Sequence, residues 1–409
     1  MSVTAPLAGI KVLDMSRVLA GPWAGQMLAD LGADVIKVER PGTGDDTRLW
    51  GPPYMPSKVA VETAEAHEAA YFQSANRGKR SLCVDMSEPQ GQELIKRLAS
   101  QADVLIENFK VGGLAKYGLD FDALNLLNPR LIYCSITGFG QTGPYKDRAG
   151  YDFMIQAMGG LMSITGNEDG EPMKVGVAVA DIMTGLYASN AIQAALIYQL
   201  RTGQGQHIDI ALLDVQVASL ANQAMNYLAT GNNPKRLGNA HPNIVPYQAF
   251  ASADGHIILA VGNDGQFERF CQVAGVKELA SQAEYANNAL RVLNRHTLVP
   301  LVAQLLAQQT THWWLTSLNS VGVPCGPICT IDQVFDNPQV QAREMKITLD
   351  HAHLGQVESV ANPIKLSVTP LQYCQPPPML GEHTQAVLKD WLAMGEPEYS
   401  GLLNAGVIA

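Results

Sequence analysis

Charge is scarce in this chain of 409 residues: Asp, Glu, Lys and Arg supply 16%, against 47% apolar residues. That balance excludes a disordered chain and calls for a large buried core. Positive charge is the scarcer sign, with 28 Lys and Arg against 38 Asp and Glu and a formal net charge of −10. A duplex-binding surface needs a basic excess, so nucleic acid is excluded as a partner, while a local cationic pocket for an anionic ligand stays open. Cysteine is sparse: Cys83, Cys134, Cys271, Cys325, Cys329 and Cys374, of which only Cys325 and Cys329 lie close together. No paired C-x-x-C signals a metal site, and a chain this long does not need disulfides as its main support. Reduced thiols in a cytoplasm are the expectation. Apolar runs are all interrupted short of the ~20 residues that a membrane span needs. The opening Met1 to Gly9 has no basic stretch leading into an apolar one, so no secretory leader is expected. A soluble cytoplasmic protein, with neither membrane nor nucleic acid as partner, is the reading.

Several motifs are missing too. There is no H-E-x-x-H, no P-loop lysine and no G-x-S-x-G elbow. The turn after the first expected strand reads Ser16-Arg-Val-Leu-Ala-Gly-Pro22. It lacks G-x-G-x-x-G and does not support a dinucleotide site.

What is present is alternation of strand and helix. Strands are expected at 10–14, 33–39, 81–85, 104–107 and 131–135, with helices at 23–31, 88–100 and 121–127 between them. Such alternation predicts an α/β fold with a parallel, doubly wound sheet. Lys174 to Ala180 reads as a strand, or as an extended run entering the helix 182–200. A strand at 207–211 and helix to about 228 follow. After Gly231 the pattern changes to a hairpin, Tyr247 to Ala251 and His256 to Val261, followed by amphipathic helices near 265–275, 297–308 and 311–320. The expected domains are therefore 1–229, a small α+β domain over 230–325, and 326–409 returning to the first, with Cys325-Gly-Pro327 as the exit linker. A strand pair near 345–369 and a last helix over 384–394 complete the chain.

Asp181 is the first candidate for chemistry. It follows six uncharged residues, Val175 to Ala180, and opens an apolar helix. From local sequence a helix cap is the preferred reading of such an Asp, and it is compatible with catalysis; backbone donors and the helix dipole would favour its ionised form, a usable nucleophile toward a thioester. Asn108 and Phe109 end an expected strand, where doubly wound folds bind ligands, although locally a turn residue is the preferred reading of Asn108. Arg40 and Lys116 lie where they could meet phosphates, or simply water. Tyr151 and the loop residue His241 are pocket candidates, with Asp152 as a helix cap beside Tyr151.

The chain resembles the class III CoA-transferases, the CaiB/BaiF family, nearly end to end. The resemblance is carried by Pro6-Leu-Ala-Gly-Ile-Lys-Val-Leu-Asp14, Ala20-Gly-Pro22, Leu31-Gly-Ala-Asp-Val-Ile-Lys-Val-Glu39 and Gly44-Asp45 with Thr47-Arg48. It continues through Asn76 to Arg80, Ala102-Asp-Val-Leu-Ile-Glu-Asn-Phe109, Asn128-Pro-Arg130, Gly138-Phe-Gly140, Thr142-Gly-Pro144, Gly203-Gln-Gly-Gln206, Val323-Pro-Cys-Gly-Pro327 and Leu380-Gly-Glu-His383. Each motif is weak alone; their order and spacing are specific.

The resemblance implies an interlocked homodimer of chains, each with a Rossmann-like large domain and a smaller α+β domain. It places the family nucleophile on Asp181, in Ala178-Val-Ala-Asp181 followed by Gly185. It places CoA contacts on Val18, Arg40, Val84, Asn108, Phe109, Lys116 and Tyr117, and the substrate pocket around Leu19, Tyr151 and His241. It implies acyl-CoA and a carboxylic acid as substrates, with no metal and no tightly bound cofactor. Tyr151 matches a Tyr of the formyl-CoA:oxalate transferase, whereas Leu19 replaces its Gln and its glycine-run loop is missing near 238–246. The stretch Arg236 to His241 is more similar to members that use succinyl- or acetyl-CoA with dicarboxylates. A racemase of the same fold has a His at position 151, and Tyr, titrating near ~10 when free, is a poor base at neutral pH. A CoA-binding protein without catalysis is the alternative from another class.

Overall fold

The computed structural model describes residues 5–55, 68–373 and 375–409. Met1 to Thr4 and Cys374 therefore lie outside the described residues. The chain divides into two compact units: Met1–Gly160 with Val175–Ala224 and Gln339–Ala409, and Leu161–Lys174 with Met225–Pro338.

The first unit is built on six strands: β1 (Lys11–Asp14), β2 (Asp34–Glu39), β3 (Lys79–Cys83), β4 (Val104–Glu107), β5 (Ile132–Thr137) and β6 (Gln206–Ala211). All pair in parallel, in the order β3-β2-β1-β4-β5-β6. Parallel strands joined by helices are covered on both faces, so they read as apolar runs with successive side chains pointing to opposite sides. Leu13, Ile36, Leu82, Leu105 and Tyr133 pack on one face against Leu94, Ile95 and Leu98 of helix α2 (Pro89–Ala99) and against Val387, Leu388 and Trp391 near the C-terminus. Val12, Val35, Val104 and Ile132 face the other way, onto α1 (Ala20–Asp30) and the 24-residue helix α4 (Val179–Thr202). Between α2 and α4 runs the short helix α3 (Asp152–Met158).

Helices α1 and α4 touch closely because Gly185 carries no side chain. A Cβ there would meet the Ala20 carbonyl oxygen at 2.7 Å and Trp23 Cβ at 2.9 Å. Gly185→Val must push α4 off α1, at an expected cost of roughly 1–3 kcal/mol. Thermal melting checks this; an unchanged melting temperature would show that the helices yield freely.

Three expectations fail here, and a fourth is decided between its two alternatives. Of the two readings for Lys174 to Ala180, the extended run entering a helix holds: Val175 N–H donates to the buried Gln156 side chain at 2.9 Å, and helix begins at Val179. The helix after β6 is broken, with Leu212–Ala218 followed by Ala221–Thr230 around a left-handed Ala221 at φ 46°. A further helix, Glu396–Asn404, follows Thr384–Leu392. Cys325–Pro327 is not a linker but a strand.

In the second unit, β7 (Tyr247–Ala251), β8 (His256–Ala260) and β9 (Cys325–Pro327) form an antiparallel sheet, with Leu259 opposite Cys325. Phe250, Ile257 and Leu259 pack there with Phe267, Phe270, Leu298, Val302 and Trp314 from the helices between β8 and β9. This unit also takes in 161–174, which the sequence reading left in the large domain. The Arg236 guanidinium holds that segment through the carbonyls of Asn167, Glu168 and Gly170 at 2.9–3.3 Å. The last strands, β10 (Lys346–His351) and β11 (Gly355–Val360), form a separate antiparallel pair in the first unit.

Candidate active site

Strand order reverses between β1 and β4, because β1 leads outward to β2 and β4 leads the other way to β5. The loops leaving the carboxyl ends of these two strands diverge, and a doubly wound sheet binds ligands in the crevice they leave. A cavity of about 460 Å³ lies there. Its walls are Arg17 to Ala20 after β1, Asn108 to Val111 and Gly113, Lys116 and Tyr117 after β4, Ile136 to Gly138 at the end of β5, and Lys146 with Arg148 to Tyr151. Asp181 completes it. A second cavity, about 350 Å³, lies under Arg40, Val84 and the Thr43–Asp46 loop. Arg17, Asp46, Met86, Phe109 and Tyr117 line both, so the two adjoin.

Local sequence places these groups. Gly138 and Gly150 lie backbone to backbone: a Cβ on Gly138 would stand 2.5 Å from Gly150 Cα. Their missing side chains let the segment carrying Tyr151 lie against the end of β5. Asn108 bridges the diverging loops, donating from Nδ2 to the Arg17 carbonyl at 2.7 Å and accepting the Arg17 N–H at 2.9 Å. Both polar ends of its amide are thus engaged with backbone. Phe109 N–H donates to the Glu107 carboxylate at 2.8 Å, and burial pushes Glu107 up to about 7.

Asp181 sits in the first turn of α4, two residues beyond the first helical one, and is not its N-cap; that position is Ala178. The cap comes from another helix. Asp152 of α3 accepts the N–H groups of Ala180 at 2.8 Å and Asp181 at 3.3 Å. Its other oxygen accepts from Gln156 at 2.7 Å. Asp152 therefore caps α4, not its own helix as the sequence suggested. The Asp181 carboxyl receives no hydrogen bond from any described donor. Burial, and then the negative charge of Asp152, push it up to about 7. This reverses the expectation that the helix end favours the ionised form: desolvation outweighs the dipole.

The structure brings together all the sequence-predicted site residues of the first unit. Val18, Leu19, Asn108, Lys116, Tyr151 and Asp181 line the first cavity, Arg40 and Val84 the second, and Phe109 and Tyr117 both. His241 belongs to the second unit, where its ring lies 5.3 Å from that of Tyr247 and its Nδ1 accepts the Asn243 N–H. No group of His, Cys, Asp and Glu suited to a metal ion occurs among the described residues, and none of the described helices is long and apolar enough to cross a membrane.

The sequence model of CoA-transferase family III matches residues 7–384. The chain belongs to that family. It is 56% identical over 391 residues to a succinate–glutarate CoA-transferase of Agrobacterium fabrum, covering 94% of this chain and 95% of the relative. It is 43% identical over 408 residues to the succinyl-CoA:glutarate CoA-transferase of Homo sapiens, covering 100% of this chain and 91% of that one. Among solved structures, a CaiB/BaiF family protein from Brucella suis is similar at a TM-score of 0.82 and 52% identity, over 95% of this chain and 100% of that one. The protein is thus a CoA-transferase enzyme, and the non-catalytic reading is set aside.

Sequence reasoning missed several residues of this transferase's cavity. Arg17 and Lys110 stand directly after β1 and β4, so the rule that flagged Arg40 after β2 could have found them. Lys146 and Arg148, the latter stacked 4.0 Å from the Tyr145 ring, had only the nearby Tyr151 as a signal. Tyr71 had none. Its hydroxyl is pushed up to about 12 by burial and then by the charges of Asp181, Asp152 and Asp45, which places it within electrostatic reach of Asp181.

Proposed function

We propose that this transferase moves CoA from succinyl-CoA or acetyl-CoA to a dicarboxylic acid, with the Asp181 carboxylate as covalent nucleophile. The observation that carries this reading is a carboxylate with no hydrogen-bond donor among the described residues, pushed up to about 7, in a cavity at the sheet's switch point. An anion stripped of donors keeps its electron pairs available for attack. The relatives named for succinate, succinyl-CoA and glutarate support the choice of donor and acceptor.

The steps balance with the two acids, CoA and Asp181 alone, so no tightly bound cofactor is called for. The carboxylate attacks the thioester carbonyl, the C–S bond breaks, and CoA thiolate leaves a mixed anhydride on Asp181. The thiolate attacks the aspartyl carbonyl, expelling the donor acid and forming an aspartyl-CoA thioester. The acceptor carboxylate then attacks that thioester, giving a second anhydride and free thiolate. Thiolate attack on the acceptor's carbonyl releases the new acyl-CoA and restores Asp181. Each tetrahedral intermediate needs donors for its oxyanion. The start of helix α1 is the proposed source: its N-cap Leu19 and first residue Ala20 line the cavity, and no side chain caps its N–H groups.

Val18, Arg40, Val84, Asn108, Phe109, Lys116 and Tyr117 are assigned to CoA, spread over the two adjoining cavities. Leu19 and Tyr151 are assigned to the acyl group. The interlocked homodimer belongs to this reading too. Helix α4 exposes Leu186, Tyr187, Ile197, Tyr198 and Leu200, and α3 exposes Phe153, Met154 and Met158. Apolar groups on so many sides of a helix fit burial against a second copy.

Protonating Asp181 removes the nucleophile, so kcat/KM should fall about tenfold per pH unit below about 7. Asp152→Asn keeps an oxygen for the Ala180 N–H but deletes the second cause of the shift, and should move this acid limb down by roughly half a unit or more. An unmoved limb would dissociate it from Asp181. The activity itself is tested by mass spectrometry of CoA products in deuterated water, with succinyl-, acetyl- and 2-methylacyl-CoA and a panel of mono- and dicarboxylic acids. A new acyl-CoA matching the added acid, without deuterium at the α-carbon, is expected. Deuterium in 2-methylacyl-CoA without acid exchange would mean racemization instead.

A further inference from the structure

Val18 is a β-branched residue at φ 73°, in the left-handed region that such residues almost never occupy. The structure holds this conformation from outside the loop. Val18 N–H donates to both oxygens of the Asp45 carboxylate at 3.2 and 3.3 Å. Asp45 is fixed in turn by Lys37 Nζ at 2.8 Å, with both side chains fully buried, and by the Thr47 amide at 3.0 Å and hydroxyl at 2.8 Å. The same ammonium donates to the Ser16 carbonyl at 3.0 Å. Ser16 N–H is taken by Asp14, and Arg17 by Asn108 on both its N–H and its carbonyl.

Almost every backbone group from Ser16 to Val18 thus has a partner outside ordinary secondary structure. A fully buried ion pair is weak evidence for stability, because desolvation offsets its attraction. A strained backbone next to a ligand cavity calls for a surrounding structure that over-determines it. The two observations meet at one hydrogen bond, Val18 N–H to Asp45.

We infer that Asp45 and Lys37 are positioning residues whose buried pair locks Val18 in its left-handed conformation and so sets the wall of the CoA cavity that Arg17, Val18 and Leu19 form. Both line the adjoining second cavity, and neither lines the cavity that holds Asp181. The inference rests on the reading of this cavity as the CoA site.

The test is calorimetric titration of the full-length enzyme with free CoA, for wild type, Asp45→Ala, Val18→Gly and the double variant. Asp45→Ala should weaken CoA binding by roughly tenfold or more, within the range that releasing such strain corresponds to. In that background Val18→Gly should recover at least about threefold, because glycine adopts positive φ without a side-chain penalty. A merely structural Asp45 predicts no such recovery. If Asp45→Ala binds CoA as wild type does, or if Val18→Gly costs the same factor in both backgrounds, the inference is overturned. Should Asp45→Ala not fold, Lys37→Met combined with Asp45→Asn removes both buried charges, and the same cycle is run against Val18→Gly. Wild type that binds no CoA would instead bring down the reading of the cavity, an outcome separable from the others.

Discussion

Asp181→Asn is expected to lower kcat for CoA transfer at least about 10⁴-fold, the scale on which losing a covalent nucleophile acts. The substitution keeps the volume of the side chain and leaves the Asp152 cap untouched, since that cap uses the Ala180 and Asp181 backbone N–H groups. CoA binding should persist, because the groups assigned to CoA lie on other loops. Steady-state assays with the donor and acceptor found for wild type check this, alongside a CoA titration. A variant that binds CoA and retains more than a hundredth of wild-type kcat would remove Asp181 from the covalent role.

The same substitution should make the protein more stable at high pH. Burial raises the folded-state value of Asp181 from 3.8 to about 7. Between those values the folded chain binds more protons than the unfolded one, so stability falls as pH rises. The contribution of the protonated carboxyl is fully present below 3.8 and is lost as pH climbs to about 7. Above that the ionised group stands as a penalty on the order of 2–4 kcal/mol. Asn carries no such penalty. Asp181→Asn should therefore match wild type near pH 4 and exceed it by up to this amount at pH 8, read by denaturant unfolding at both values. A gain that does not grow with pH would mean that Asp181 is ionised at no cost, contrary to its surroundings. Stabilisation on loss of a catalytic group is the expected sign of a site that trades stability for reactivity.

The parallel sheet was legible because its strands are buried on two faces. Val104–Glu107 and Phe121–Leu127 are found where their apolar runs place them, and the doubly wound alternation needs no tertiary information. The ligand-bearing ends of the strands followed from the fold rule, which is why Arg40 and Asn108 could be named. Other features depend on groups far apart in sequence. Lys174 to Ala180 alternates like a strand, yet Gln156 and Asp152 claim its amides. Cys325-Gly-Pro327 looks like a linker until Ile257 to Leu259 offers it a ladder. Asp181 looks like a cap in isolation, and only burial beside Asp152 inverts its ionisation. Tyr71 carries no local pattern that marks it as a neighbour of the site.

The central claim is that an aspartyl oxygen passes through the reaction. Its most direct test is a single turnover with an acceptor acid carrying oxygen-18 in its carboxylates, followed by digestion and mass spectrometry of the peptide that contains Asp181. The acceptor oxygen that bridges the second anhydride stays on the enzyme when thiolate takes the acyl group. One oxygen-18 on Asp181 is therefore predicted, and an unlabelled donor acid with it. Label that appears in the released donor acid, with none on the peptide, would mean that the acceptor attacks the donor thioester directly and that Asp181 is not the nucleophile.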